Sequence, residues 1–298
     1  MSLQQLESVV QEVVAVFNSW GPETPITTIR QDWDNLFSNV KPVVGASTES
    51  VSAGGVKAEW ISAPEARSDR VILYLHGGGY VLGSIHSHRD VCERLSRATK
   101  ARVLALDYRL APENPFPAAL DDALAAYRWL LKQGVSPKHL AIAGDSAGGG
   151  LSTATLVALK QAGDPLPTCA ALMSPWVDLD CTGESMTTKD AEDPMVHKPM
   201  AAVMSASYVP SGEFRTPLAS PLYADLGGLP PLMIHVGSRE TLLDDSVRLA
   251  ARAREAGVDV QFKKWEGQVH VFQIFASRVD EGEESIQELG AFIRKHIN

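Results

Sequence analysis

The 298-residue chain is 45% hydrophobic with a net charge of −9, so it has enough apolar content to bury one large α/β domain, or a core with a cap. The acidic balance argues against nucleic acid or an anionic membrane surface as the main partner, because both attract basic surface. Cys92, Cys169 and Cys181 are odd in number and lack metal-like spacing, which predicts reduced thiols, a cytoplasmic setting, and no metal or cofactor site.

The first residues carry Glu7 and Glu12 and lack a basic start before an apolar core, so no secretory signal is expected. No apolar run is long enough to span a bilayer. Leu3, Leu6, Val10, Val13, Val14 and Phe17 recur at three- and four-residue steps, the pattern of an amphipathic helix whose sticky face must cover something. After the Gly21-Pro22 break comes a second helical pattern, Ile29, Trp33, Leu36 and Phe37. Lys57 to Ile61 then alternates like an edge or hairpin strand.

From there, strands and helices alternate. Apolar strands near Val71, Val103, Ala141, Ala171, Leu232 and Val260 are separated by helical patterns near Val91, Ala123, Thr155 and Leu249, which predicts a mostly parallel, doubly wound α/β sheet covered on both faces. The stretch from about 181 to 215 breaks the alternation, with proline punctuation and a helical pattern from Met200 to Tyr208. It reads as a cap insertion. Residues 1–45 form a second cap segment in this reading, and 46–298 the core. Tyr80, Met195, Met204 and Tyr208 are candidate pocket walls, although ordinary packing between cap and core accounts for such residues equally well.

Two motifs carry the chemistry. Gly144-Asp145-Ser146-Ala147-Gly148 lies between the strand Leu140 to Ala143 and a helix over Leu151 to Ala162, so Ser146 falls on a tight strand-to-helix turn. There the hydroxyl stands clear of the sheet beside helix N-terminal N–H groups. His76-Gly77-Gly78-Gly79 follows the apolar run Arg70 to Leu75, placing three glycines where a central strand opens into a loop. The N–H groups of Gly78, Gly79 and Ala147 are then natural donors to a developing oxyanion, each worth on the order of 3 kcal/mol.

A serine nucleophile needs a base, and the base an orienting acid, in the order Ser, acid, His. His270 follows the Val260 to Trp265 strand and Gly267, at a strand end. His235 sits mid-strand, where packing or a structural hydrogen bond is expected, and His296 lies in the solvated terminal helix. For the acid, Glu240, Asp244 and Asp245 compete. Glu240 stands just past a strand end, and Asp244 is held in reserve because an acid at a helix start serves as an N-cap or first-turn charge.

Together these residues resemble the bacterial esterase branch of the hormone-sensitive lipase family, within the α/β-hydrolase fold. The resemblance rests on His76-Gly77-Gly78-Gly79-Tyr80, Asp107-Tyr108-Arg109-Leu110-Ala111-Pro112-Glu113, Gly144-Asp145-Ser146-Ala147-Gly148-Gly149, and Ser220-Pro221-Leu222-Tyr223 before Leu229-Pro230-Pro231. It implies Ser146, Glu240 and His270 as the triad, an oxyanion hole of Gly78, Gly79 and Ala147, and short-acyl esters as substrates. It also implies Asp107, Arg109 and Glu113 as a structural charge network, with His76 and Asp145 organising loops. Two positions depart from the family pattern, Glu240 for the usual Asp and Val271 for the common Gly after the histidine. The resemblance also allows a monoterpene-lactone hydrolase, an amidase or deacetylase, and a homodimer through a sheet edge. The alternative of another class is a non-catalytic small-molecule receptor like the plant gibberellin receptors, which lose the catalytic histidine.

Overall fold

Apolar runs of five or six residues form strands here because parallel strands are covered on both faces and need no polar alternation. In a computed structural model describing residues 2–21, 23–38, 40 and 42–297, with side chains from residue 4, the order is α1 (Ser2–Phe17), α2 (Ile26–Ser38), β1 (Ser47–Ala53), β2 (Val56–Ser62), β3 (Arg67–Leu75), α3 (Ile85–Thr99), β4 (Ala101–Leu106), α4 (Ala118–Lys132), β5 (Leu140–Asp145) and α5 (Ala147–Ala162). There follow β6 (Cys169–Met173), α6 (Ser185–Thr188), α7 (Lys198–Tyr208), β7 (Leu232–Gly237), α8 (Leu243–Glu255), β8 (Val260–Trp265) and α9 (Asp280–His296). Leu3's side chain and Pro22, both used in the sequence reading, lie outside the described residues.

The sheet order is β1-β2-β4-β3-β5-β6-β7-β8. Strands β3 to β8 run parallel, and β1 and β2 join the β4 edge antiparallel. The Lys57 to Ile61 strand is therefore the inner arm of a hairpin. Its outer arm, β1, is polar and largely exposed, and so left no apolar signal. The chain winds outward in both directions from β3, with β4 on one side and β5 on the other, so the loops leaving β3 and β5 flank a topological switch point. Ligands of open α/β sheets bind at such points.

Helix α5 lies tight against the sheet because Gly148 has no side chain, and a Cβ there would overlap the Leu75 carbonyl. Over the switch point sit α1, α2 and α7. Helix α1 buries Leu6, Val9 and Val13 and leaves Val10, Val14 and Phe17 beside a groove, so its apolar stripe divides between packing and cavity wall. A chain of aromatic rings in contact runs from Trp20 through Phe17, Trp33 and Phe37 to Phe275, with centroids 4.5–5.9 Å apart. Arg30 on α2 donates to the Val81 and Ala111 carbonyls, both at 2.9 Å. The Glu7–Arg239 and Glu12–Arg278 pairs are exposed and contribute little. Burial of the apolar residues, about 1.5–3 kcal/mol for each large side chain, holds these helices down. Among the described residues no helix is long and apolar enough to cross a membrane.

Candidate active site

Ser146 sits between the last residue of β5 and the first of α5 with φ 50° and ψ −121°, a backbone state that L residues occupy only when the surroundings enforce it. Its N–H donates to Met173 O at 2.9 Å, and its carbonyl accepts the Trp176 N–H at 2.8 Å. These bonds to β6 and the loop after it hold the turn. Ser146 is 8% exposed.

His270, on the loop after β8, faces Ser146 Oγ through Nε2 at 2.9 Å. Its Nδ1 lies 2.5 Å from Glu240 Oε2. A carboxylate oxygen only accepts, so the resting imidazole carries its proton on Nδ1, and Nε2 accepts the serine hydroxyl. Glu240 is fully buried, and its other oxygen accepts the Gly237 N–H at 2.5 Å and the Ser174 hydroxyl at 2.8 Å. Ser174 Oγ in turn accepts the Val271 N–H at 3.1 Å, joining the acid to the histidine loop. Burial disfavours the imidazolium, but the adjacent Glu240 outweighs it and raises the His270 pKa above the ordinary 6.5. Burial likewise raises Glu240, against the pull of His270 and Ser174.

Among the described residues, the N–H groups of Gly78, Gly79 and Ala147 donate to no protein acceptor. Gly78 and Gly79 line a chamber of about 50 Å³ with Ser146 and His270. Its other walls are almost entirely apolar and include Trp176, Met195, Met204, Leu242 and Val271. Beyond Met200 and Met204 it adjoins an outer groove of about 760 Å³ between α1, α2 and the segment from Asp190 to Ser207.

Residues 72–274 match the family described as the alpha/beta hydrolase fold. The chain belongs to that family. Within it the hydrolase falls among the bacterial hormone-sensitive lipase relatives: a crystal structure of an esterase from that group superposes with a TM-score of 0.96 at 46% identity, covering 99% of each chain. A structure of EstE5 soaked with p-nitrophenyl butyrate gives 0.93 at 42%, covering 98% of each. The hydrolase is 47% identical over 244 residues to an "Acetyl-hydrolase" of Streptomyces hygroscopicus, covering 82% of this chain and 81% of that protein. It is 37% identical to an "Esterase" of Acinetobacter venetianus over 81% of this chain and 80% of that one. It is an enzyme of the carboxylesterase type.

The fold of this hydrolase brings Ser146, Glu240 and His270 together and keeps Asp244 apart. Asp244, in the first turn of α8, accepts the Ser185 N–H at 2.8 Å. Of the four expected pocket walls, Met195 and Met204 line the chamber. Tyr80 and Tyr208 do not, because their rings stack face to face at 3.8 Å and pack on Trp176 and Phe116, leaving each 1% exposed. Asp107, Arg109 and Glu113 form separate pairs, with Lys57, Asp122 and Arg30, so they are not one network. His235 is buried and bonds Ser285 Oγ at 2.8 Å. His296 is half-buried rather than solvated, bonding the Phe292 carbonyl at 2.8 Å. Sequence reasoning passed over Ser174 and Asp193. Asp193 accepts the Thr241 N–H at 2.8 Å beside Glu240. The only signal for Ser174 was its place at the end of β6, on the same sheet edge as the motifs.

Proposed function

We propose that this hydrolase cleaves short-acyl carboxylic esters, acetyl esters foremost, through an acyl-enzyme on Ser146. The observation that carries this reading is the unbroken relay from Ser146 Oγ to His270 at 2.9 Å and from His270 to Glu240 at 2.5 Å, opening on a chamber of about 50 Å³. In this reading Ser146 Oγ attacks the carbonyl carbon while His270 Nε2 takes its proton. Glu240 holds the tautomer and stabilises the imidazolium. The carbonyl oxygen gathers charge against the N–H groups of Gly78, Gly79 and Ala147. His270 then returns the proton to the leaving alcohol, and water attacks the acyl-enzyme by the same route.

The chamber volume supports acyl groups of a few carbons, as do the names of the acetyl-hydrolase relative and the butyrate-soaked neighbour. Ser146→Ala should abolish the burst of p-nitrophenol from p-nitrophenyl acetate, and retained burst kinetics would overturn the assignment. An acyl series from acetate to decanoate should peak at the short end. Matched ester and amide substrates separate ester hydrolysis from deacetylation.

A further inference from the structure

Behind the glycine loop lies a second buried histidine–carboxylate pair that the relay does not use. His88 on α3 and Asp145 at the end of β5 are 1% and 2% exposed and meet at 3.3 Å between Nε2 and Oδ2. On the other side of the ring, Nδ1 faces the Ser84 carbonyl at 3.2 Å and Ser87 Oγ at 3.0 Å. The Ser84 carbonyl can only accept, and the Ser87 hydroxyl, 3.1 Å from that same carbonyl, can direct its proton there and accept as well. Both nitrogens of His88 thus face acceptors, and only the imidazolium donates from both.

Asp145 carries the effect to the reaction centre. Its Oδ1 accepts the Tyr74 hydroxyl at 2.6 Å and the Gly77 N–H at 3.1 Å. A Cβ on Gly77 would collide with the carboxylate, so the loop bearing Gly78 and Gly79 rests directly on Asp145. The groups facing His88 are Tyr74 and His76 from β3 and its loop, Asp145 from β5, Cys92 on its own helix, and Asp34 of α2, which accepts the Ser84 hydroxyl at 2.7 Å. Burial holds Tyr74 and Cys92 protonated. Burial and the neighbouring His88 charge push His76 down to about 4. Neutral His76 donates from Nδ1 to the Gly77 carbonyl at 2.8 Å. Burial opposes the His88 charge, but Asp145 outweighs it and raises its pKa, while Asp145 is lowered despite burial.

We propose that His88 is a positioning residue for hydrolysis at Ser146: as an imidazolium it keeps Asp145 ionised, and Asp145 clamps Gly77 so that the Gly78 and Gly79 N–H groups stay aimed at the oxyanion. The inference rests on the acyl-enzyme reading above. Losing one oxyanion donor costs about 10²–10³ in kcat, so loosening the loop should reach the lower end of that range. His88 itself does not line the chamber, and the chamber's apolar side-chain walls stay in place, so KM should hold. His88→Gln can donate one N–H to Asp145 but never carries charge, whereas His88→Ala leaves the carboxylate without its cation.

The test measures kcat, KM and their pH dependence for p-nitrophenyl acetate, with kcat divided by burst amplitude so that only folded, acylating enzyme is counted. The expected result is a kcat loss of about 10²-fold for His88→Ala, partial recovery in His88→Gln, and KM within about threefold. The alkaline limb of the native profile, where His88 loses its proton, should vanish in His88→Gln. Nitrogen NMR of the native imidazoles should show both nitrogens of His88 protonated at neutral pH. A neutral His88 ring, or wild-type kcat and alkaline limb in both variants, overturns the inference while the acyl-enzyme reading stands. A native enzyme without a burst overturns that reading instead.

Discussion

Exchanging Glu240 for glutamine tests the relay most directly, because the effect follows from which atom each neighbour must bond. Oε1 of Glu240 is claimed by two donors, the Gly237 N–H and the Ser174 hydroxyl. In Glu240→Gln the amide oxygen must stay with them, so the NH₂ group turns to His270 Nδ1. That nitrogen can then only accept, and the imidazole proton moves to Nε2, where it faces Ser146 and cannot act as a base. A wrong tautomer of this kind costs about 10⁴ in kcat, or about 5 kcal/mol of barrier. Glu240 does not line the chamber, so KM should change little. His270 also loses the partner that raises its pKa, and burial acts unopposed. Residual activity should therefore hold to lower pH than in the native enzyme, where protonation of the raised base ends activity on the acid side. Pre-steady-state burst kinetics with p-nitrophenyl acetate across pH measures both effects. Asp244→Asn is the control, losing about 0.3–1 kcal/mol of stability as a first-turn charge with kcat intact. A Glu240→Gln enzyme within tenfold of wild type, or an equal loss in Asp244→Asn, refutes the reasoning.

Met204 lines both the chamber and the groove and packs its Sδ onto Gly79; Met204→Ala should raise decanoate turnover relative to acetate by about tenfold, and an unchanged ratio across the acyl series rules out this wall as the selector. Val271 holds φ 46°, where a side chain costs about 1–2 kcal/mol, so Val271→Gly should be more stable than Val271→Ala in chemical denaturation, reversing the usual order of these residues. Burial raises the Asp245 pKa from 3.8 to about 8. A pKa raised in the fold contributes stability that is complete below 3.8 and lost as pH rises through about 8. Asp245→Asn removes that loss, so its Tm should gain on wild type between pH 5 and 9, and a constant difference counts against it.

The core strands were legible because each is a short apolar run bounded by turn residues, and Ser146 and His270 because strand ends in parallel sheets gather on one edge. Three other features were not. Strand β1 is mostly polar and exposed and is held by pairing with β2, a long-range cause with little local trace. The pocket walls failed at Tyr80 and Tyr208 because hydrophobicity cannot distinguish a ring that faces a cavity from one that stacks on another ring. His88 lies upstream of Ser146 on a helix, where the order Ser, acid, His gives it no role, yet the β3–β5 pairing brings it behind the nucleophile. Sequence order ranks triad members, but it says nothing about the groups that hold them.

Among the described residues, four of the six non-glycine residues with positive φ, Tyr80, Ser146, Ser174 and Val271, stand on loops leaving β3, β5, β6 and β8 at the edge that bears the site. Each occupies a conformation its side chain disfavours, Val271 most of all because it is β-branched. The common glycine at its family position thus has a physical reason: this backbone needs the left-handed state. The Val271 N–H is held by Ser174 Oγ, whose own hydroxyl holds Glu240, so the strained turn and the acid share one anchor. Strain of about 1–3 kcal/mol per residue persists only where the surroundings over-determine the geometry. Here the buried strands β3, β5, β6 and β7 supply that excess. The sheet beneath the site holds these loops in conformations their side chains disfavour.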